Sequence, residues 1–118
     1  MDTENKKKFD WMEDYPAAVT VSDDKGIIIA MNRRSIEQFR KRGGEKLIGT
    51  SLFDCHPESA NTIIRDQLQS QKPNTYITEG TSGRRLIQQV PWYKDGIFAG
   101  LVETTGPIPG DILVKKRG

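Results

Sequence analysis

The stretch VPWYKDGIFAGLVE, Val90 to Glu103, reads as two strands folded back on each other. Lys94-Asp95-Gly96 supplies the turn, since Asp-Gly pairs accept the positive φ angles that tight hairpins need. Pro91 has no amide hydrogen to give to a ladder, so its strand must have outrun one neighbour there. The upstream residues RRLIQQVPWY (84–93) extend the first of these strands, and IFAGLVET (97–104) forms the second. Gln88 and Gln89 fall on opposite faces of the first strand, so one amide must point toward a core and find a partner. Trp92 shares a face with Leu86, Gln88 and Val90. TYITEG (75–80) precedes them through Thr81-Ser82-Gly83, so the chain ends in three antiparallel strands.

A second hairpin lies near the other end. AVTVSD (17–22) alternates apolar and polar residues, Asp23-Asp24-Lys25-Gly26 turns, and IIIAM (27–31) is a β-branched run. At Asn32 the period changes from strand to helix, and asparagine is a favoured helix cap. Arg33–Arg42 then reads as a helix with Ile36 and Phe39 on one face, stopped by Gly43-Gly44. Leu47-Ile48 and Leu52-Phe53, around Gly49, suggest brief single-turn helices. From Pro57 to about Gln71, Ala60, Ile63, Ile64 and Leu68 make one apolar stripe, and Pro73 closes the segment. Strands at both ends with a block of helices between strands two and three predict an α+β fold with a five-stranded antiparallel sheet. One sheet face packs the helices, and the other is open or covered.

The 118 residues suit one domain and are too few for two. No apolar run approaches the roughly 20 residues of a membrane span, and the first residues are too polar for a secretory signal. One cysteine makes no internal disulfide, which favours a cytoplasmic setting. The net charge is +2, and the basic clusters Arg33-Arg34, Arg40-Lys41-Arg42 and Lys115-Lys116-Arg117 are short and scattered. They read as solvated surface, so neither nucleic acid nor membrane is expected as a partner. No convergent set of acid–base groups points to an enzyme. Residues 1–15 read as an amphipathic leader helix. Phe9, Trp11, Met12 and Tyr15 are too many large apolar groups for an unprotected leader. They are expected to cover the open sheet face or to cross to a second copy, giving a homodimer.

This order of elements, with the residues that fill it, resembles a PAS sensory domain. The carrying features are Pro16-Ala17-Ala18-Val19, the Asp24-x-Gly26-x-Ile28 turn and strand, and Asn32 opening a helix. Leu47-Ile48-Gly49-x-Ser51-Leu52 and the Val90–Glu103 hairpin complete them. Members with a Leu-Phe-Asp-Cys-His-Pro-like helix junction are the most similar. The resemblance divides the chain into a leader (1–15), a PAS domain (16–105) and a tail containing proline and glycine (106–118). It implies a bacterial-type regulator in signal transduction that takes a small ligand between sheet and helices and passes a signal to an effector, here unknown. Met31, Phe39, Leu52, Ile63, Ile64 and Gln88 are the candidate pocket residues. One feature departs from the pattern. The exit Thr104-Thr105-Gly106-Pro107-Ile108-Pro109-Gly110 is no continuous helix, which argues against the usual coiled-coil linker. The tail shows no effector domain, so the chain is expected either to be a piece of a larger protein or to work by binding alone.

SLFDCHPES (51–59) holds the chain's one cysteine and one histidine side by side. Adjacent side chains point apart, which disfavours a nucleophile and its base, and two ligands do not make a structural zinc site. The structural reading is a helix junction: Asp54 or His56 caps the helix that Pro57 opens, and Cys55 packs as a small apolar residue. The resemblance keeps a second reading open, a haem- or chromophore-binding sensor using His56 or Cys55. Haem-binding members, however, place their axial histidine further along that helix, where this chain has Ile63 and Ile64. Flavin-binding members need an Asn-Cys-Arg-Phe-like motif that is missing here. No cofactor is the first expectation, and haem is the alternative.

Overall fold

Alternating valines, β-branched runs and positive-φ turns give a single sheet. The computed structural model describes residues 9–54 and 58–118. Its strands are β1 (Ala18–Ser22), β2 (Ile28–Met31), β3 (Asn74–Gly80), β4 (Gly83–Lys94) and β5 (Ile97–Pro107). Between β2 and β3 run α1 (Arg33–Gln38), three 3₁₀ turns (Arg40–Arg42, Gly44–Leu47, Leu52–Asp54) and α2 (Glu58–Ser70). All pairs are antiparallel in the order β2-β1-β5-β4-β3. The first strand thus joins its hairpin partner on one side and the last strand on the other. Among the described residues no helix is long and apolar enough to cross a membrane.

The turns follow their residues. Asp95 and Gly96 have φ of 53° and 80°, the two positive angles of a type I′ hairpin. Asp23 Oδ1 accepts from the amides of Lys25 and Ile27, both at 2.9 Å, so the aspartate itself organises the first turn. β3 pairs with β4 only as far as Gln89, and Pro91 faces Leu101 of β5 alone. The missing amide of Pro91 therefore lies beyond the reach of β3, where it costs no ladder bond. β2, an edge strand, is stitched to the helical connection: Ile28 N donates to Thr50 O (2.9 Å) and Gly49 N to Ile28 O (2.7 Å). That covers an edge that would otherwise invite another chain.

The sheet faces can be assigned from one contact. The Thr20 and Ser35 hydroxyls share a buried hydrogen bond, so Thr20 faces α1. Glu103 lies opposite Thr20, and Gln89 opposite Glu103, so these residues share the helix-facing side. Val21, Val102 and Val90, paired in the next register positions, fall on the outer face, as does Gln88.

Three expectations are corrected. Residues 9–15 form turns and not a helix; residues 1–8 of the expected leader helix lie outside the described residues. Carbonyls that a helix would use internally are committed elsewhere: Met12 O accepts from Asn32 Nδ2, and Glu13 O accepts from the Arg33 amide. Pro16 also disfavours helical backbone at Tyr15. The helix expected over 33–42 ends at Gln38 and continues as a 3₁₀ turn, because Phe39 O receives the amides of Arg42 and Gly44, and Gly43 turns the chain at φ 127°. At the other end β5 runs on through Gly106 and Pro107, three residues past the expected strand end at Thr104, with Arg85 opposite Pro107.

Gly100 marks the tightest approach in the sheet. A Cβ built there would fall directly on the Ser22 carbonyl oxygen, and the residue has φ 146°. That same carbonyl accepts from Trp92 Nε1 at 2.9 Å, so the indole reaches across the space Gly100 leaves and ties β4 to the end of β1. Gly100→Ala is expected to cost about 3 kcal/mol or more, the sum of a forced backbone shift and a strained φ. Urea unfolding followed by tryptophan fluorescence checks this; an unchanged midpoint would contradict it.

Candidate functional site

The helix-facing side of the sheet and the helical block do not close completely. Between them lies a cavity of about 50 Å³. Its floor comes from the sheet: Thr20, Met31, Gln89, Leu101 and Glu103. Its roof comes from Phe39, Leu47 and Leu52, and from Ile64 and Gln67 of α2. The walls are mainly aliphatic, so the few polar groups define what the space can hold.

Those polar groups form a row across three strands. Asn74 Nδ2 donates to Gln89 Oε1 at 3.0 Å, and Gln89 Nε2 donates to Glu103 Oε2 at 2.7 Å. Gln89 is thereby fixed at both ends, and Glu103 keeps acceptor capacity, because a carboxylate has roughly four lone-pair sites. Burial raises the Tyr76 phenol pKa above its ordinary value, and the charge of Glu103 raises it further. Opposite, Gln67 is only 5 % exposed. Its Nε2 is enclosed and has no acceptor among the described residues. An unmade bond of this kind costs about 1–3 kcal/mol. Natural sequences seldom retain such a group without a use for it.

Four candidates read from the sequence line the cavity: Met31, Phe39, Leu52 and Ile64. Two do not. Ile63 is 54 % exposed, because the buried side of α2 runs through Asn61, Ile64 and Gln67, and Ile63 is turned about 100° away from Ile64. Gln88 lies exposed on the outer face, and its neighbour Gln89 is the inward amide. Cys55 and His56 lie outside the described residues. Of the proposed dimer contacts, Phe9, Trp11 and Tyr15 are exposed, Trp11 and Tyr15 meeting edge to face at 5.5 Å, while Met12 is half-buried. Gln67 and Glu103 were not found from sequence. The spacing from Ile64 to Gln67 and from Leu101 to Glu103 contains the signal, but both residues are polar in a pattern read from apolar ones.

Comparison with known proteins places this geometry. No family model matches the chain, and no curated protein does. Among solved structures, 59 chains match. The PAS domain of the histidine kinase ThkA is 17% identical, with a TM-score of 0.61 over 76% of this chain and 97% of that one. A PAS domain from Colwellia psychrerythraea is 19% identical, with a TM-score of 0.62 over 89% of this chain and 97% of that one. The PAS domain of BvgS from Bordetella pertussis is 15% identical, with a TM-score of 0.63 over 83% of this chain and 81% of that one. The fold is the PAS fold.

Replacing Gln67 by leucine, similar in size and without polar atoms, is expected to stabilise the ligand-free protein by about 1–3 kcal/mol. The thermal midpoint measures it. A destabilised Gln67→Leu protein would mean that the amide already has its partner.

Proposed function

We propose that the chain is a non-catalytic sensory PAS domain that binds a small ligand in the cavity between sheet and helices, acts as a homodimer, and passes a signal to an effector. The observation that carries this reading is the enclosed, unpartnered Gln67 amide in a mainly aliphatic cavity. A core selected for stability alone would have an apolar residue there. The fold shared with PAS domains of named histidine kinases supports a signalling role.

The homodimer rests on the outer sheet face. Val21, Val102 and Val90 stand directly opposite one another across three strands, and Ile77 on β3 and the leader aromatics leave further apolar surface open. Contiguous apolar surface of this kind commonly marks an interface. A haem or other large cofactor fits less well, because cofactor-sized ligands occupy pockets of about 300 Å³ or more. The cavity measures about 50 Å³.

Native mass spectrometry of freshly purified protein, under mild and then denaturing conditions, tests both parts. The expected result is a dimer carrying a bound mass that denaturation releases, from a colourless protein. Deleting residues 1–14 is expected to give monomer or aggregate. A monomer without bound mass would contradict the proposal. So would a haem titration whose Soret shift saturates at one equivalent and is abolished by His56→Ala.

A further inference from the structure

A second space in the molecule lies outside the ligand cavity, where the chain enters and leaves the sheet. It is a groove of about 560 Å³. One wall is α1, through Arg33, Arg34 and Glu37, and the floor is the sheet, through Ala18, Thr105 and Arg85. Register puts these three on the helix-facing side. Ala18 lies two residues from the inward Thr20 and stands opposite Thr105. Arg85 lies two residues from Ile87, which also stands opposite Thr105.

Charge decides what the groove accepts. Arg33 is taken: its guanidinium meets Asp14 at 3.0 Å and Glu13 at 3.5 Å. Glu37 is taken by Arg40. Arg34 and Arg85 are exposed, and neither forms an ion pair among the described residues. Arg65 and Arg84, by contrast, each have a carboxylate, from Glu58 and Glu79. The lining of the groove therefore carries two unneutralised cations and no unneutralised anion.

Guanidinium groups call for carboxylates or phosphates, which they hold bidentately. Shape selects among the bearers of such groups. A single-stranded nucleic acid needs rings to stack on, and no aromatic side chain lines the groove. A small-molecule site has mainly apolar walls, whereas six of the ten lining residues here are polar. The other four are Pro16, Ala17, Ala18 and Pro107, short side chains that let a second backbone come close. The segments on either side of the domain do not supply the anion, since Lys6-Lys7-Lys8 and Lys115-Lys116-Arg117 are basic.

We infer that this groove docks an extended, acidic peptide segment of a partner protein, with one carboxylate on Arg34 and a second on Arg85. Recognition of acidic motifs by arginines is a recurring mode of peptide binding. The inference is independent of the ligand cavity. A partner seated here touches both the start of β1 and the end of β5, the two ends of the domain.

The test uses the full chain, labelled with nitrogen-15, and three probes. These are a capped hexapeptide of alternating glutamate and glycine, the same peptide with glutamine for glutamate, and inorganic phosphate. In an extended peptide the alternate residues fall on one side, about 7 Å apart. The glutamate peptide is expected to shift the Ala18 and Thr105 backbone amides saturably, while the other two probes leave them in place. The Leu101 amide, which reports the ligand cavity, should not move. Arg34→Gln and Arg85→Gln, checked for folding by their thermal transitions, should each weaken the peptide about two- to fivefold, the loss of one exposed ion pair. Arg84→Gln removes the same charge from the other sheet face and should not weaken it. Equal binding of the glutamine peptide or of phosphate would overturn the proposal, the first because charge is not read, the second because any small anion suffices. Equal weakening by Arg84→Gln would overturn it as general attraction, and so would the absence of any saturable shift. Movement of the same amides on diluting the protein alone would assign the groove to a second copy and reject the partner.

Discussion

The Asn32 side chain is fully buried, and the protein itself supplies partners for each of its polar atoms. Oδ1 accepts from the amides of Val19 (2.9 Å) and Ser35 (3.0 Å). Nδ2 donates to the carbonyls of Met12 (2.9 Å) and Ala17 (2.8 Å). Four bonds thus join the leader, the start of β1 and the first turn of α1 at one point. The Asn32 backbone adds bonds from its amide to Val19 O and from the Ile36 amide to its own carbonyl. Only an amide can do this. Aspartate lacks the two donors, and leucine lacks all four groups.

This clamp fixes which way the helical block leaves the sheet, and the cavity follows from that. With α1 held against β1 through Asn32 and through the Thr20–Ser35 bond, the chain returns along the β2 edge and brings α2 over the sheet. Asn61 Nδ2 donates to Phe53 O at 2.9 Å, tying α2 to the preceding turn. Gly26, at φ 85° in the turn between β1 and β2, leaves the space that Phe53 and Leu68 fill. Gln67 and Glu103 both line the cavity that is left between them and the surrounding aliphatic side chains. At the far end, Gly100, Trp92 and Ser22 join β1, β4 and β5 together.

Much of this was legible in the sequence, because it depends on local rules. Asp95-Gly96, Gly26 and Pro91 each have a backbone requirement that one residue announces, and alternation, β-branched runs and turn signals identified all five strands. Asn32 was legible as a cap, but its contacts to Met12 and Ala17 were not, because they span 20 and 15 residues. Residues 9–15 of the leader were misread for the same reason: their spacing suits a helix, yet the Met12 and Glu13 carbonyls bond across the chain. In α2 the apolar stripe pointed to Ile63, whereas the buried face carries Asn61 and Gln67. A pattern built on hydrophobic residues cannot see amides on a buried helix face. The choice between Gln88 and Gln89 needed the register of β4 against β5, which alternation alone leaves two-fold ambiguous.

The central claim is that Asn32 is a three-way clamp and not only a helix cap. Urea unfolding of Asn32→Ala, with amide hydrogen exchange on the same protein, separates the two. Loss of an ordinary cap costs about 1 kcal/mol and loosens one helix end. Loss of four hydrogen bonds, two of them fully buried, with the Val19 amide losing its side-chain acceptor, is expected to cost about 3–5 kcal/mol. Protection should fall together at Val19 in β1 and Ser35 in α1. A loss of about 1 kcal/mol confined to the amides of α1 would contradict the account.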